Sequence, residues 1–565
     1  MVNKSNKINS QSGAWSMILM VVIPLIVVFG GLFLALRFAE NGRNKKPEID
    51  YQTEFSSANW SYDVEHNVYY QIGLIYADKP VDEGYESMGI YIPGEYLDCT
   101  PSGKKYNCRI NKAGEKGGFT GENAPMVLSV NTPGYSAQEA PNSYDYNTVA
   151  EYIEAGMVYL YPGCRGRYGS SDGRSKMMAK VADYAQGAPW GITDLKAAVR
   201  YVRYNTEEIP GNSEAIYAFG HSGGGAQGAI LGASGDSELY AAYLDNIGAK
   251  MKNRNGEEIS DAIQGVMAWN PITALDIANE AYEWNMGRFS RSEGWESELS
   301  GLMAEDYRIY VNSLGLEEDG KVLVLDTIDS GSYYNYFMGE MSKSLTNYLH
   351  DNFNSAREMK EYIDSLSWAE FSEETGTAKV TDLKGFVQKE KPASKAIAAF
   401  DGLERGQTEN KLFGVQENEA MHFDERLYEI LKANTEKLGK HSGYKDYTRE
   451  FERDFSLNDS LGKSVLLRSL MYNPMFYLTD VYSQKKCECD ENKNDAVVAK
   501  NWRIRTGLSQ GDTASTTEIN LKLALENYGG LTVDFATVWG EGHTEAERAG
   551  SASGNFIGWI RELEK

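Results

Sequence analysis

Residues 215–231 constrain this chain more than any other stretch. An apolar run, Ala215-Ile216-Tyr217-Ala218-Phe219, leads into Gly220-His221-Ser222-Gly223-Gly224, and a small-residue, helix-compatible segment follows to Leu231. A serine hydroxyl at a strand-to-helix turn must stand clear of its own backbone, and only small neighbours leave room for so tight a turn. Gly220 and Gly224 occupy those neighbouring positions. The turn also points the N–H of Gly223 to where a negative oxygen would be stabilised, aided by the positive end of the helix. Such a pentapeptide occurs by chance in many chains, so its context carries the weight. Four short apolar or β-branched runs precede it, at about 69–76, 88–92, 126–130 and 158–161. A helical pattern over 191–204 repeats Leu195, Ala198, Val199 and Val202 at spacings of three and four, which makes one buried face.

Alternating strands and helices form a mostly parallel sheet with helices on both faces. With the serine turn, this predicts an α/β-hydrolase fold. The alternation continues through 266–269 and then stops. From 272 to 499 the chain is helical, charged and loop-rich. Strand-like runs resume at 502–506 and 531–538, and an amphipathic helix with Phe556, Ile557, Trp559 and Ile560 ends the chain. The expected catalytic domain is therefore 58–271 plus 500–565. The large, mainly helical insertion, 272–499, falls between the sixth and seventh core strands and would form a lid or substrate-binding domain.

A serine is a poor nucleophile until a base takes its proton. In this fold the partners follow the serine in the order acid, then histidine. Of the six histidines, His66, His221, His350, His422, His441 and His543, only His543 follows a final strand. It is the expected base. The acid belongs in the loop after 502–506, where Asp512 is the sole carboxylate of Gly507-Leu508-Ser509-Gln510-Gly511-Asp512-Thr513. There it would hold the imidazole in the right tautomer and stabilise its charged form. A second oxyanion donor, besides Gly223, is expected from Asn131-Thr132-Pro133-Gly134-Tyr135, where Gly134 lets the backbone approach closely. His221, beside the nucleophile, reads as a packing or orienting residue. None of this chemistry needs a cofactor or metal.

Charge and the N-terminus set the setting. A formal net charge of −25 argues against nucleic acid as a partner. Residues 17–36 form a run of 20 without a charged side chain, and at 1.5 Å per residue such a helix spans roughly 30 Å of hydrocarbon. After a short tail, 1–16, this predicts a transmembrane anchor at 17–36, a polar linker at 37–57, and a catalytic domain outside the cell. Cys99 and Cys108 flank a Pro-Ser-Gly turn, as a disulfide across a hairpin would require. Cys487 and Cys489 lie in an acidic loop, read as solvated rather than metal-binding, and Cys164 is left over.

Several segments together resemble the bacterial tannases, grouped with feruloyl-esterase-like hydrolases. They are Tyr161-Pro162-Gly163-Cys164-Arg165-Gly166-Arg167, His221-Ser222-Gly223-Gly224-Gly225, Ala399-Phe400-Asp401-Gly402-Leu403, Glu409-Asn410-Lys411-Leu412-Phe413-Gly414 with His422-Phe423, and Trp502-Arg503-Ile504-Arg505-Thr506-Gly507 followed by Asp512-Thr513. The resemblance implies hydrolysis of esters of gallic acid and related phenolic acids. It also implies that Lys395 and Glu409 of the insertion grip phenolic hydroxyls, chemistry suited to a donor and an acceptor. The family pattern carries two acidic residues two apart after the seventh strand, the first catalytic and the second on the phenolic ring. Here Gln510-Gly511-Asp512 keeps one. Either Asp512 serves as the acid after a small loop shift, with Gln510 left among the substrate-binding residues, or activity is reduced. The expectation is the shift.

The chain thus reads as a membrane-anchored serine ester hydrolase acting on a small phenolic ester, with Ser222, Asp512 and His543 as its triad. A serine peptidase of the same fold is a second reading. A non-catalytic binding protein on a hydrolase scaffold is a third, supported by the missing acidic residue.

Overall fold

The computed structural model describes residues 49–167, 186–415, 420–484 and 496–565. The expected anchor at 17–36 and the acidic loop with Cys487 and Cys489 lie outside them. Among the described residues, no helix is long and apolar enough to cross a membrane.

One nine-stranded sheet organises the chain from Tyr51 to Lys565, which forms a single compact unit. Its strands in chain order are β1 (Ser61–Asp63), β2 (Val68–Ile75), β3 (Ser87–Pro93), β4 (Met126–Val130), β5 (Val158–Pro162), β6 (Ile216–His221), β7 (Gly265–Trp269), β8 (Asn501–Gly507) and β9 (Thr532–Val538). Their order across the sheet is β1-β2-β3-β5-β4-β6-β7-β8-β9. From β5 to β9 every neighbouring pair is parallel. The three pairs at the β1 end are antiparallel. Sequence reading missed β1, whose three residues are all only partly buried and too few to show a period.

β6 sits between two parallel neighbours, with Gly220 paired to Val130 of β4 and to Ala268 of β7. Successive side chains of a strand face opposite sides. Phe219 faces helices α1 (Tyr146–Glu154) and α5 (Ala552–Leu563), its ring 5.3 Å from Tyr152 and 5.0 Å from Phe556. Gly220 faces the helix after the turn, α3 (Gly223–Ala233), which packs beside α2 (Trp190–Tyr204). A β-carbon on Gly224 would fall 2.1 Å from the Val130 carbonyl oxygen, so only glycine lets α3 start this close to the sheet. Helix α4 (Ser515–Tyr528) connects β8 to β9.

The described residues between β7 and β8 are mainly helical, with two short hairpins at Glu317–Val322 and Ala369–Val380. They carry a core cluster of their own, built from Leu299, Met303, Leu427, Leu431, Leu438 and Phe451. The expected linker ends earlier than residue 57. The N–H of Gln52 donates to the Gly73 carbonyl, Ile75 N–H donates back to Gln52, and Phe55 is buried against Trp60. Cys99 and Cys108 pair across a hairpin, Leu97–Ser102 with Lys105–Ile110, and form a disulfide.

Candidate active site

Ser222 occupies the turn between β6 and α3 at φ 58°, ψ −122°. For a residue with a side chain this backbone region costs of order 1–3 kcal/mol, and it persists only where the surroundings hold it. They do so here: Ser222 N–H donates to the Trp269 carbonyl at 2.9 Å, and Ala226 N–H donates to the Ser222 carbonyl at 2.9 Å. His543 lies in the loop after β9, and its Nε2 is 2.8 Å from Ser222 Oγ. The structure therefore brings the expected nucleophile and base into hydrogen-bond contact.

The loop that carries Gly134 packs on Gly223. A β-carbon on Gly223 would lie 2.5 Å from the Thr132 carbonyl oxygen and 3.2 Å from the Gly134 nitrogen. Gly134 has φ 54° and Tyr135 φ 59°, a left-handed pair that folds the loop tightly over the start of α3. Among the described residues, neither Gly223 nor Gly134 donates its N–H to a backbone carbonyl. Arg167 pins this loop, its Nε donating to the Gly134 carbonyl at 2.7 Å and its backbone N–H to the Tyr135 carbonyl at 2.8 Å. Arg165, two residues earlier, is fully buried and bonds both carboxylate oxygens of Asp194. The Cys164-Arg165-Gly166-Arg167 motif is thus scaffolding for the loop above the serine.

The expected contact of His543 with Asp512 is not made. His543 Nδ1 is buried and has no hydrogen-bond partner among the described residues. Asp512 acts on the ring only through space, as one attraction among opposing influences. His543 is held down at about 4: burial lowers it most and His221 next, Asp512 pulls it up, and Lys395 and Lys391 push it down again. The physical reason lies in Gln510. Its Oε1 accepts the N–H groups of Asp512 and Thr513 at 2.7 and 2.9 Å, and its Nε2 donates to Thr513 Oγ1 at 2.6 Å. The carboxamide closes the 507–513 turn upon itself.

The insertion reaches the site along two segments. Lys391–Lys395 runs beside the 507–513 loop: fully buried Lys391 donates to the Gln510 carbonyl at 3.0 Å, and Ser394 Oγ donates to the Gly511 carbonyl at 2.7 Å. Burial lowers the Lys391 ammonium and raises the neighbouring Glu518 carboxyl, while each draws the other back toward its charged form. Lys395 Nζ rests 3.9 Å over the Phe400 ring. The helical turn Thr408–Leu412 packs on the Gly134 loop, with Thr408 3.7 Å from where a Gly134 β-carbon would be. Glu409, on that turn, is buried and accepts the Thr408 hydroxyl at 2.9 Å.

Two residues that matter here were not singled out from sequence, or only in part. Asn270, one residue past β7, ties the loops of base and acid together: its Nδ2 donates to the Thr544 carbonyl at 2.6 Å, and its Oδ1 accepts Gly507 N–H at 2.9 Å. A polar residue at the carboxyl end of a parallel strand was the available signal. His221, read as packing or orientation, has its ring 4.9 Å from that of His543, with a buried Nε2 that has no partner. Burial pushes it below the usual imidazole range, while a hydrogen bond to the His543 backbone pulls the other way.

Comparison with known proteins comes to the same place. A model of the BD-FAE family matches residues 178–306, which include the serine turn. No curated protein matches. Among solved structures, the chain is similar to a Fusobacterium nucleatum tannase, at 26% identity over 91% of this chain and 100% of that one, with a TM-score of 0.68. It is similar to a tannin acyl hydrolase in complex with ethyl gallate, at 25% identity over 88% and 94% with a TM-score of 0.64. A tannin acyl hydrolase from Lactobacillus plantarum matches at 24% identity over the same shares, with a TM-score of 0.65. The structural neighbours of this chain are tannases, and with the BD-FAE segment they support an esterase- or tannase-like hydrolase with an α/β-hydrolase-like fold.

Proposed function

We propose that this chain is a serine carboxylic-ester hydrolase that cleaves galloyl or related phenolic-acid esters through an acyl-enzyme. The observation that carries the reading is the 2.8 Å contact of His543 Nε2 with Ser222 Oγ at a strained turn. Ser222 attacks the ester carbonyl while its proton passes to His543. The N–H groups of Gly223 and Gly134 receive the negative oxygen of the tetrahedral intermediate. The alcohol departs with that proton from His543, water then adds to the acyl-enzyme and gives its proton to His543, and the carboxylic acid is released as His543 returns the proton to Ser222. Lys395 and Glu409, on the two insertion segments beside the site, bind the phenolic hydroxyls, with Gln510 shaping the loop between them. The tannin acyl hydrolase with ethyl gallate supports a small phenolic ester as substrate.

The test is turnover of methyl gallate, methyl ferulate and 4-nitrophenyl acetate by the full chain, with labelling of Ser222 by a fluorophosphonate. Absence of both turnover and labelling would sink the reading and favour a non-catalytic binding protein, for which the unpartnered Nδ1 of His543 speaks. The uncharged run 17–36 further supports a membrane anchor, and the Cys99–Cys108 disulfide supports a catalytic domain outside the cell. Protease shaving of intact cells that leaves the domain untouched would refute that placement.

A further inference from the structure

The 507–513 loop and the field around His543 bear on which esters the site can cleave. Three observations meet there. His543 Nδ1 is buried without a partner. Gln510 spends its carboxamide on Thr513 and on the N–H groups of Asp512 and Thr513. Lys391 is locked on the carbonyl of Gln510, and Lys395 lies beside the same loop over Phe400. The imidazolium that forms on acylation therefore meets no carboxylate hydrogen bond; Asp512 attracts it only through space, and the ammonium groups of Lys395 and Lys391 oppose it.

From this we infer that Gln510 makes the site selective for esters whose leaving group is a phenol, because the Ser222–His543 pair expels a phenolate readily and an aliphatic alkoxide poorly. The inference rests on the ester-hydrolase reading. In acylation the Ser222 O–H bond breaks, its proton goes to His543 Nε2, and the Oγ–carbonyl bond forms. The carbonyl–oxygen bond to the leaving group then breaks. An aliphatic alkoxide is too basic to depart without that proton, so it needs an imidazolium held in position to hand the proton over. A phenolate departs with its electron pair unprotonated and takes a proton afterwards, from His543 or from water. With Nδ1 unpartnered, nothing fixes the ring for the proton transfer that the first route needs, while the ammonium groups of Lys391 and Lys395 favour the anion of the second. In serine triads the acid contributes about 10⁴ to kcat, so its absence leaves a wide margin for leaving-group basicity to decide.

Phenyl gallate and methyl gallate share one acyl group and hence one deacylation step, so their kcat/KM ratio reports acylation alone. With the full chain, the phenyl ester is expected to exceed the methyl ester by more than about 10³ in kcat/KM. A ratio within about tenfold would overturn the inference, with no variant needed. The second arm is Gln510→Asp. The variant offers a carboxylate on the 507–513 loop to the unpartnered His543 Nδ1–H. Methyl gallate turnover should then rise at least about tenfold more than phenyl gallate turnover. Equal gains for both, or no gain in a variant with an unchanged melting curve, would also overturn it. A wild-type chain that turned over neither ester and resisted the fluorophosphonate would instead remove the hydrolase reading itself.

Discussion

Two histidines of this chain, one half-buried and one fully buried, are mirror cases. His543 has a nucleophile on one nitrogen and nothing on the other: Nε2 meets Ser222, and Nδ1 is unpartnered. His422, in the insertion, has the acid without a nucleophile. Its Nδ1 is 2.6 Å from Asp401 Oδ1, its Nε2 has no partner, and its ring stacks on Phe451 at 3.6 Å. Asp401 is spent on structure, for it also accepts the Asn410 amide and the N–H groups of Phe423 and Asp424. An imidazole–carboxylate pair is thus no mark of catalysis by itself. What separates the two sites is the strained serine turn facing one imidazole and the closed, fully buried hydrogen-bond cage around the other.

The contrast can be broken from both sides. Ser222→Ala should reduce ester kcat/KM by about 10⁴–10⁶ while leaving the melting temperature unchanged, and retention of activity would end the comparison. Asp401→Ala should act in the opposite register. It leaves four buried donors without an acceptor and should cost about 3–5 kcal/mol in chemical denaturation, with the activity of the remaining folded fraction intact. Asn270→Ala should lower kcat by about 10–100-fold, because the loop of His543 loses its tie to Gly507; an unchanged kcat would show that the base needs no such brace.

The pH profile sharpens the contrast further. The base must be neutral to accept the serine proton, and burial, His221, Lys395 and Lys391 together outweigh Asp512 and hold His543 near 4. Activity should therefore persist as pH falls below the ordinary imidazole range and be lost only through about pH 4. An acid limb near the usual 6.5 would show that a carboxylate reaches Nδ1 in solution. The smallest effect is expected at Glu409. Glu409→Gln should lower kcat/KM for methyl gallate about 5–30-fold through loss of one charge-assisted hydrogen bond, and leave 4-nitrophenyl acetate untouched.

The sheet was legible in the sequence because parallel strands buried on both faces read as apolar runs between turns. Ser222 was legible because its glycines permit one local geometry, and His543 because only one histidine follows the last strand. The amphipathic end of the chain was equally plain: Phe556, Trp559 and Ile560 are buried in α5. The state of the acid was not legible. Where Gln510 and Asp512 point is set by Lys391, 119 residues away from Gln510 in the chain, and by the packing of Gly511 against the Pro392 carbonyl. No local pattern records such a contact. The cage around His422 was hidden for the same reason, since Asp401, Asn410 and Asp424 meet only after the insertion has folded.

Ser222 and His543 stand 321 residues apart, with the entire insertion between them. On a ribosome the nucleophile emerges early, as an inert serine in a half-built sheet, and chains that fold during synthesis do so from the N-terminus onward. His543 comes in the loop after β9, with α5 still to follow. On the proposed mechanism a growing chain therefore lacks its base until His543 has emerged, and one truncated before His543 should be silent however well the rest of it folds.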